Sequence, residues 1–284
     1  MNPIRIAKNI ALKTIPTSLQ PSVRRSAIKA GLLPAPVLQY PFWDLMKASS
    51  TPRLNYYWGV LCGASVAKTL GYERISIIEF GVAGGNGLVA LEQVAEEVER
   101  LSSVKIEVYG FDTGTGLTKP QDYRDLPQMW SEGFYKMDEA RLRARLKRAE
   151  LLLGPVEETV PKFLAGPAAP VAFVAFDLDM YSSTMHAFKL FEGAPRAFLP
   201  RVTCYFDDII GFSHSDFAGE RLAISDFNQA HARRKISKLY GLPYALQISQ
   251  MWTEMMYMFH AFDHDRYNDY DGMNWVKDIP LNES

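Results

Sequence analysis

The 284-residue chain has only two cysteines, Cys62 and Cys204, and neither lies in a Cys-x-x-Cys pair or at a metal-ligand spacing from histidine. This excludes a disulfide scaffold and a zinc ribbon, and two reduced thiols suit a cytoplasmic protein. Cys204 lies in an apolar run and is expected to be a buried free thiol. The chain also lacks an apolar run of the roughly 18–20 residues that a transmembrane span needs.

A strong charge of either sign is absent as well, because the formal net charge is -1. This argues against a nucleic-acid partner. Locally the balance differs, since residues 1–29 carry several basic side chains and no acid precedes Asp44. We expect this segment to be a solvated arm, or a helix packed against the domain or a second subunit, rather than a membrane anchor, because Pro16 and Pro21 interrupt any long helix.

From Arg74 onward, strand-like and helix-like segments alternate along the chain. This alternation predicts an α/β fold with a doubly wound, mostly parallel sheet covered by helices on both faces. Strands are predicted at 75–82, 105–112, 151–156, 171–179, 201–209 and 254–262, and helices at 88–101, 139–151, 157–166, 183–198 and 220–241. The predicted organisation is an N-terminal arm and helical cap (1–70), a central domain (71–265) and a C-terminal tail (266–284).

A glycine-rich segment follows the first predicted strand, in which Glu79 precedes Gly81, Gly85 and Gly87. The spacing at 85–90 matches G-x-G-x-x-A, which on its own is a weak indication of dinucleotide binding. An acid before a glycine turn is better suited to S-adenosylmethionine (SAM), because a carboxylate can bind its ammonium group while glycines allow close approach. Asp112, after the second strand, would then accept the ribose hydroxyls. A purely structural turn with an ion-paired Glu79 is the third interpretation.

Two further predicted strands end in acids, at Asp177 and Asp179 and at Asp207 and Asp208. In a parallel sheet these ends can be neighbours, and four carboxylates together repel one another unless a cation joins them. Oxygen ligands alone favour a hard cation such as Mg²⁺, Mn²⁺ or Ca²⁺ over zinc. Helix capping by Asp179 explains one acid, not four.

Together these motifs resemble those of the macrocin O-methyltransferase family. The matching segments are E-F-G-V-A-G-G (79–85), G-F-D-T-G-T-G-L (110–117), D-L-D-M-Y-S-S-T (177–184), F-D-D (206–208) and G-E-R-L-A-I-S-D-F-N-Q-A-H (219–231). The resemblance implies a class I, Rossmann-like methyltransferase fold with a seven-stranded sheet and a helical N-terminal extension. It also implies Mg²⁺-dependent methylation of a sugar hydroxyl on a small-molecule or glycan acceptor, and it favours a homodimer or larger assembly.

The resemblance also implies a role for each matching position. Asp177, Asp207 and Asp208 would be the metal ligands, and Asp179 would be the catalytic general base. The SAM site would include Glu79, Gly81, Gly85 and Asp112.

Other features leave alternatives open. His214 and His186 compete with Asp179 for the role of base, and two aromatic groups, 56–58 and 130–135, could each supply a stacking surface for a sugar. A catechol-type phenol O-methyltransferase would use the same metal chemistry. A non-catalytic SAM-fold interaction module and a dinucleotide oxidoreductase are the remaining alternatives, and the oxidoreductase gives no reason for the four aspartates.

Overall fold

The protein is described by a computed structural model at residues 49, 51–211, 214–245 and 250–269. Within these ranges, seven strands form one sheet in the order β3-β2-β1-β4-β5-β7-β6. The strands are β1 (Arg74–Phe80), β2 (Lys105–Asp112), β3 (Glu150–Leu153), β4 (Val171–Phe176), β5 (Phe198–Phe206), β6 (Arg234–Lys238) and β7 (Met256–Ala261). The first five are parallel, and β7 runs antiparallel to both β5 and β6. The predicted mostly parallel, seven-stranded α/β sheet is confirmed.

Helices cover both faces of this sheet. They are α1 (Leu54–Thr69), α2 (Asn86–Ser102), α3 (Glu139–Arg145), α4 (Val156–Ala165), α5 (Tyr181–Ala187), α6 (Gly219–Ala230) and α7 (Leu242–Ala245). On β4, Phe173 contacts Tyr56 of α1, whereas Phe176 contacts Phe188 just after α5. Successive side chains of a strand point to opposite faces, so α1 and α5 lie on opposite sides of the sheet. None of the helices in the described ranges is long and apolar enough to cross a membrane.

A row of four phenylalanines crosses the centre of the sheet and aligns the strand ends. Pairing in register places Phe80 beside Phe111 and Phe176, and Phe176 beside Phe206. Their ring centroids are 4.6–5.5 Å apart across neighbouring strands, and all four side chains are fully buried. Burial of each ring stabilises the folded state by ~1.5–3 kcal/mol, and each aromatic pair adds ~1 kcal/mol.

Each of these phenylalanines is followed in the chain by a predicted site residue, namely Gly81, Asp112, Asp177 and Asp207. The backbone N–H of Gly81 donates to Phe111 O (2.9 Å), that of Asp177 to Phe80 O (3.0 Å) and that of Asp207 to Phe176 O (2.9 Å). The carboxyl ends of β1, β2, β4 and β5 therefore finish at the same level of the sheet.

Three predicted helices were too long. The helix predicted at 220–241 ends at Ala230, and its second half forms β6. The side chain of Asn228 explains the change: its Nδ2 donates to Ile236 O (2.7 Å), and its Oδ1 accepts from Ile236 N (2.7 Å), so it pairs with the strand as a backbone would. Basic residues flank Ile236, which suits a strand at the edge of a sheet.

The helix predicted at 139–151 ends at Arg145 for a similar reason. The buried carboxylate of Glu92, on α2, accepts the backbone N–H groups of Lys147, Arg148 and Ala149 at 2.6–2.9 Å. These donors are thereby taken out of helical geometry, and β3 begins at Glu150. The helix predicted at 183–198 is α5 followed by two short 3₁₀ turns, 188–192 and 195–197.

Cys204 lies on β5, fully buried and free, as predicted, and burial raises the pKa of its thiol. Cys62 is also free. Of the predicted N-terminal segment, α1 packs against β4, β5 and α2. The basic residues at 1–29 and most of the predicted tail lie outside the described residues, and the domain division stays a prediction.

Candidate functional site

A cavity of ≈ 410 Å³ opens at the carboxyl ends of β1, β2, β4 and β5. Strand order reverses between β1 and β4, which is where ligands bind in doubly wound sheets. The cavity is lined by most of the predicted site residues, namely Gly81, Asp112, Asp177, Asp179, Asp207 and Asp208. Glu79 and Gly85 are not among the lining residues.

The turn after β1 touches the end of β4. Gly81 has φ +82°, and a Cβ atom there would lie 1.7 Å from the carbonyl oxygen of Asp177. Only glycine satisfies both the positive φ and this distance. Gly85 has φ +80° and packs under Leu142 of α3, which shapes the turn, and its predicted place in the SAM site stays a prediction.

Asp112 joins the loops that follow β1 and β2, on one side of the cavity. Its Oδ2 accepts from Ala83 N (2.8 Å) and its Oδ1 accepts from Gly114 N (2.6 Å). A carboxylate oxygen accepts more than one hydrogen bond, so Asp112 keeps the capacity to accept ribose hydroxyls. Asp112 therefore has a structural role that the sequence did not indicate, and its predicted ribose role stays a prediction.

Glu79 is buried beneath the glycine turn. Its Oε1 accepts from the hydroxyl of Tyr56 at 2.5 Å, and its Oε2 is buried without a hydrogen-bond partner among the described residues. Burial raises the pKa of Glu79 to about 7. The α-carbon of Gly87 lies against this carboxylate, since a Cβ there would be 1.8 Å from Oε1. The carboxylate of Glu79, at the end of β1, therefore contacts the first turn of α2.

Three of the four aspartates come together. Asp177, Asp179 and Asp208 each place one carboxylate oxygen within 4.8 Å of the others. Asp207 lies beside them, with its Oδ1 accepting from the hydroxyl of Tyr205 at 2.5 Å. The predicted ligands were Asp177, Asp207 and Asp208. The observed set has Asp179 in place of Asp207, so Asp177 and Asp208 are common to both sets.

Burial and mutual repulsion make these acids hard to ionise. Burial, and then the charges of the other aspartates, raise the pKa of Asp177 to about 9 and that of Asp208 to about 8. The same causes raise the pKa of Asp179 to about 6. Asp179 also has φ +61°, an unusual backbone conformation for a non-glycine residue. Such strain persists where surrounding structure enforces it, often at functional sites.

Two buried acids behind the cluster were not found from the sequence. Glu220, on α6, is fully buried and accepts from the backbone N–H of Asp208 at 3.0 Å. Asp125 accepts from both the backbone N–H (2.8 Å) and the hydroxyl (2.9 Å) of Ser182, which fixes the loop after β2 to the start of α5. Their partners are distant in sequence. Glu220 lies within the matching segment 219–231, but that match did not indicate its contact with Asp208, and Asp125 lies outside every matching segment.

The two aromatic groups have different positions. Tyr56 and Tyr57 are buried in the core, so they offer no stacking surface. Trp130 and Tyr135 line the cavity, with ring centroids 6.2 Å apart. The loop that carries them is closed by Leu117, whose N–H donates to Phe134 O and whose carbonyl accepts from Gly133 N, both at 2.8 Å.

Among the histidines, His186 lines the cavity. Its Nδ1 lies 3.4 Å from Glu157 Oε2. His214 does not line the cavity, and His260 is paired with the hydroxyl of Tyr267.

The sequence matches no family model and no curated protein. Solved structures with a similar fold include CalS11, described as a calicheamicin methyltransferase, with 20% identity over 76% of this chain and 88% of that chain (TM-score 0.49). The O-methyltransferase NovP shows 13% identity over 86% and 99% of the two chains (TM-score 0.47). An O-methyltransferase from Bacillus cereus shows 14% identity over 90% and 97% (TM-score 0.39). At these values similarity alone assigns no activity, and the residues of the cavity must carry the assignment.

Proposed function

We propose that the protein is a SAM-dependent O-methyltransferase that transfers a methyl group to a hydroxyl of a sugar or glycosylated metabolite, with Mg²⁺ or another hard divalent cation at the aspartates. The observation that carries this proposal is the meeting of two features in one cavity. A glycine turn backed by a buried acid lies at the end of β1, and a cluster of carboxylates lies beside it at the ends of β4 and β5.

The position of Glu79 favours SAM over a dinucleotide. A dinucleotide places its pyrophosphate at the N-terminus of the helix after β1, where backbone N–H groups and the helix dipole attract anions. Here the carboxyl group of Glu79 already lies against Gly87, in the first turn of α2. An acid at this point repels a pyrophosphate and attracts the ammonium group of SAM.

The aspartates fit a hard divalent cation, because three oxygen ligands lie within 4.8 Å of one another and are otherwise held together against their own repulsion. When bound, such a cation lowers the pKa of a hydroxyl that it coordinates. In this proposal Asp177 and Asp208 hold it, while Asp179 accepts the proton of the acceptor hydroxyl. The cavity walls keep the donor and the acceptor in line, which is the main requirement of a displacement at a methyl group.

A sugar suits the mouth of this cavity. Trp130 and Tyr135 present ring surfaces there, and the Tyr135 side chain is 54% exposed. The apolar C–H face of a pyranose stacks on such rings, while two vicinal hydroxyls can reach towards the carboxylates.

Calorimetric titration of S-adenosylhomocysteine, with and without Mg²⁺, tests the cofactor class. We expect micromolar binding of this product and no binding of NAD⁺ under the same conditions. Binding of NAD⁺ in preference would contradict the proposal, and so would the absence of any S-adenosylhomocysteine binding in both conditions.

The raised pKa values predict that Mg²⁺ stabilises the protein more at high pH. Asp177 and Asp208, with pKa about 9 and about 8, bind protons in the folded state that they lose in the unfolded state. Without metal, stability therefore falls as the pH rises from about 4 to about 9. Because bound Mg²⁺ cancels this repulsion, its effect on Tm should be larger at about pH 8.5 than at about pH 6, by ~3–5 °C. Thermal unfolding with NaCl at equal ionic strength is the control, and an equal shift at both pH values would contradict the prediction.

A further inference from the structure

Arg53, at the start of α1, is a partly buried cation without an ionic partner among the described residues. It immediately precedes the helix, and its guanidinium carbon lies 5.1 Å from the centroid of the Tyr56 ring. None of the ion pairs among the described residues includes Arg53, whereas most of the other half-buried arginines, such as Arg221 and Arg234, are paired with carboxylates. A partly buried guanidinium that forms no ion pair with the described residues is suited to an anionic ligand.

Tyr56 connects this cation to the cofactor side of the cavity. The face of its ring lies against Arg53, and its hydroxyl donates to Glu79 Oε1. Burial lowers the pKa of Arg53, but the charges of Tyr56, Glu79 and Asp177 outweigh this and raise it. The guanidinium therefore lies within the electrostatic reach of both the glycine turn and the aspartate cluster.

The amino-acid part of SAM carries two opposite charges on one carbon atom, an ammonium and a carboxylate. Glu79, with Oε2 unpartnered, supplies an acceptor for the ammonium group. A carboxylate beside it needs a cation, and the fork of an arginine binds a carboxylate through two parallel hydrogen bonds. The acid and the cation are held by the same tyrosine, one at its hydroxyl and one at its ring face.

We propose that Arg53 binds the α-carboxylate of the methionine part of the cofactor, and that Tyr56 positions both Arg53 and Glu79 for this end of the ligand. The inference rests on the proposed function, since it assigns a residue to the same cofactor. The competing role for Arg53 is to neutralise the charge of the nearby aspartates. In that case, replacing Arg53 would weaken the binding of every ligand by the same factor.

A pair of ligands separates these roles. S-Adenosylhomocysteine carries the amino and carboxyl groups, and 5′-methylthioadenosine has the same adenosine thioether without them. Both are titrated calorimetrically into the wild-type protein, Arg53→Gln, Arg53→Lys and the control Arg100→Gln. Arg100 is an exposed arginine on α2 whose nearest carboxylate is Glu96, at 3.6 Å.

We expect Arg53→Gln to weaken the binding of S-adenosylhomocysteine by ~10-fold or more, because it loses charge-assisted hydrogen bonds to the carboxylate. The binding of methylthioadenosine, which has no carboxylate, should weaken by less than ~2-fold. Arg53→Lys should fall between, since it keeps the charge and loses the fork, and Arg100→Gln should change neither ligand. Equal weakening of both ligands, or no weakening, would overturn the assignment of Arg53 alone. Failure of the wild-type protein to bind either ligand would instead refute the proposed function.

Discussion

Replacing Asp177 by asparagine should reduce methyl transfer by ~10³-fold or more, because the cation and the acceptor hydroxyl that it activates lose a ligand common to both possible sets. The same change should make the metal-free protein more stable at about pH 8. Burial and three neighbouring aspartates raise the pKa of Asp177 to about 9, so its ionised form is costly in the folded protein. Asparagine keeps the shape and removes the charge. Turnover, Mg²⁺ titration and thermal unfolding of one preparation measure the three effects.

The control for this change is Asp265→Asn, since the Asp265 side chain is 86% exposed and lies outside the cavity. It should alter neither turnover nor Mg²⁺ affinity. If Asp177→Asn kept Mg²⁺ affinity and turnover within about twofold of the wild type, the aspartates would not form a metal site, and the proposed mechanism would be wrong.

Three further variants decide between the predicted ligand set and the one that the structure brings together. If Asp179 is a ligand, Asp179→Asn should weaken Mg²⁺ as strongly as Asp208→Asn does. If Asp179 is only the base and Asp207 is the ligand, Asp207→Asn should weaken Mg²⁺ binding as strongly as Asp208→Asn does, and Asp179→Asn should not. Asp207 is bonded to Tyr205, and this bond must be given up or shared for Asp207 to turn towards a cation.

The sequence predicted those parts of the fold that local patterns determine. The run before Asp177 is apolar at every position because β4 is buried on both faces, and such a run is recognisable without any partner. Since parallel strands finish at one edge of the sheet, knowing that two runs end in acids was enough to predict that the acids meet. The level at which they meet depends on the pairing of Phe80, Phe111, Phe176 and Phe206, which is a tertiary property.

The sequence failed where a distant side chain changes the course of the backbone. Nothing in 139–151 indicates that Glu92 will accept three of its N–H groups and end the helix. Likewise, the basic segment after Ala230 has helical spacing, and only the amide of Asn228 and the neighbouring strand β7 convert it to β6. Such long-range hydrogen bonds override local propensity, and they are invisible to periodicity.

The same distinction applies to the site. Six of the eight predicted site residues line the cavity, whereas the residues that hold them in place were not predicted. Tyr56 is 23 positions from Glu79, Asp125 is 57 positions from Ser182, and Glu220 is 12 positions from Asp208. Each acts through a hydrogen bond to a candidate site residue or to the helix beside the cluster. Tyr56 and Asp125 lie outside the matching segments, whereas Glu220 lies within 219–231, where nothing in the sequence indicated its contact with Asp208.

Replacing Gly81 by alanine should abolish S-adenosylhomocysteine binding and destabilise the protein by ~2–4 kcal/mol, which corresponds to a fall in Tm of ~5–10 °C. Its φ of +82° is strained for alanine, and the new Cβ would lie 1.7 Å from the carbonyl oxygen of Asp177. To relieve that overlap, the turn after β1 must move away from β4, and both halves of the cavity change shape together. Thermal unfolding and calorimetric titration measure the two losses.

Gly84→Ala is the matched control for stability, because Gly84 lies in the same turn without a positive φ and a Cβ there meets no atom within 4 Å. It should change the free energy of unfolding by less than ~1 kcal/mol, within the range of substitutions that create no clash. If Gly81→Ala were as stable as Gly84→Ala and bound S-adenosylhomocysteine normally, the close contact between the turn and Asp177 would not be what shapes the cofactor side of the cavity. A loss of binding in Gly81→Ala that follows its loss of stability, with Gly84→Ala remaining stable, identifies that contact as the point where the fold and the site depend on the same glycine.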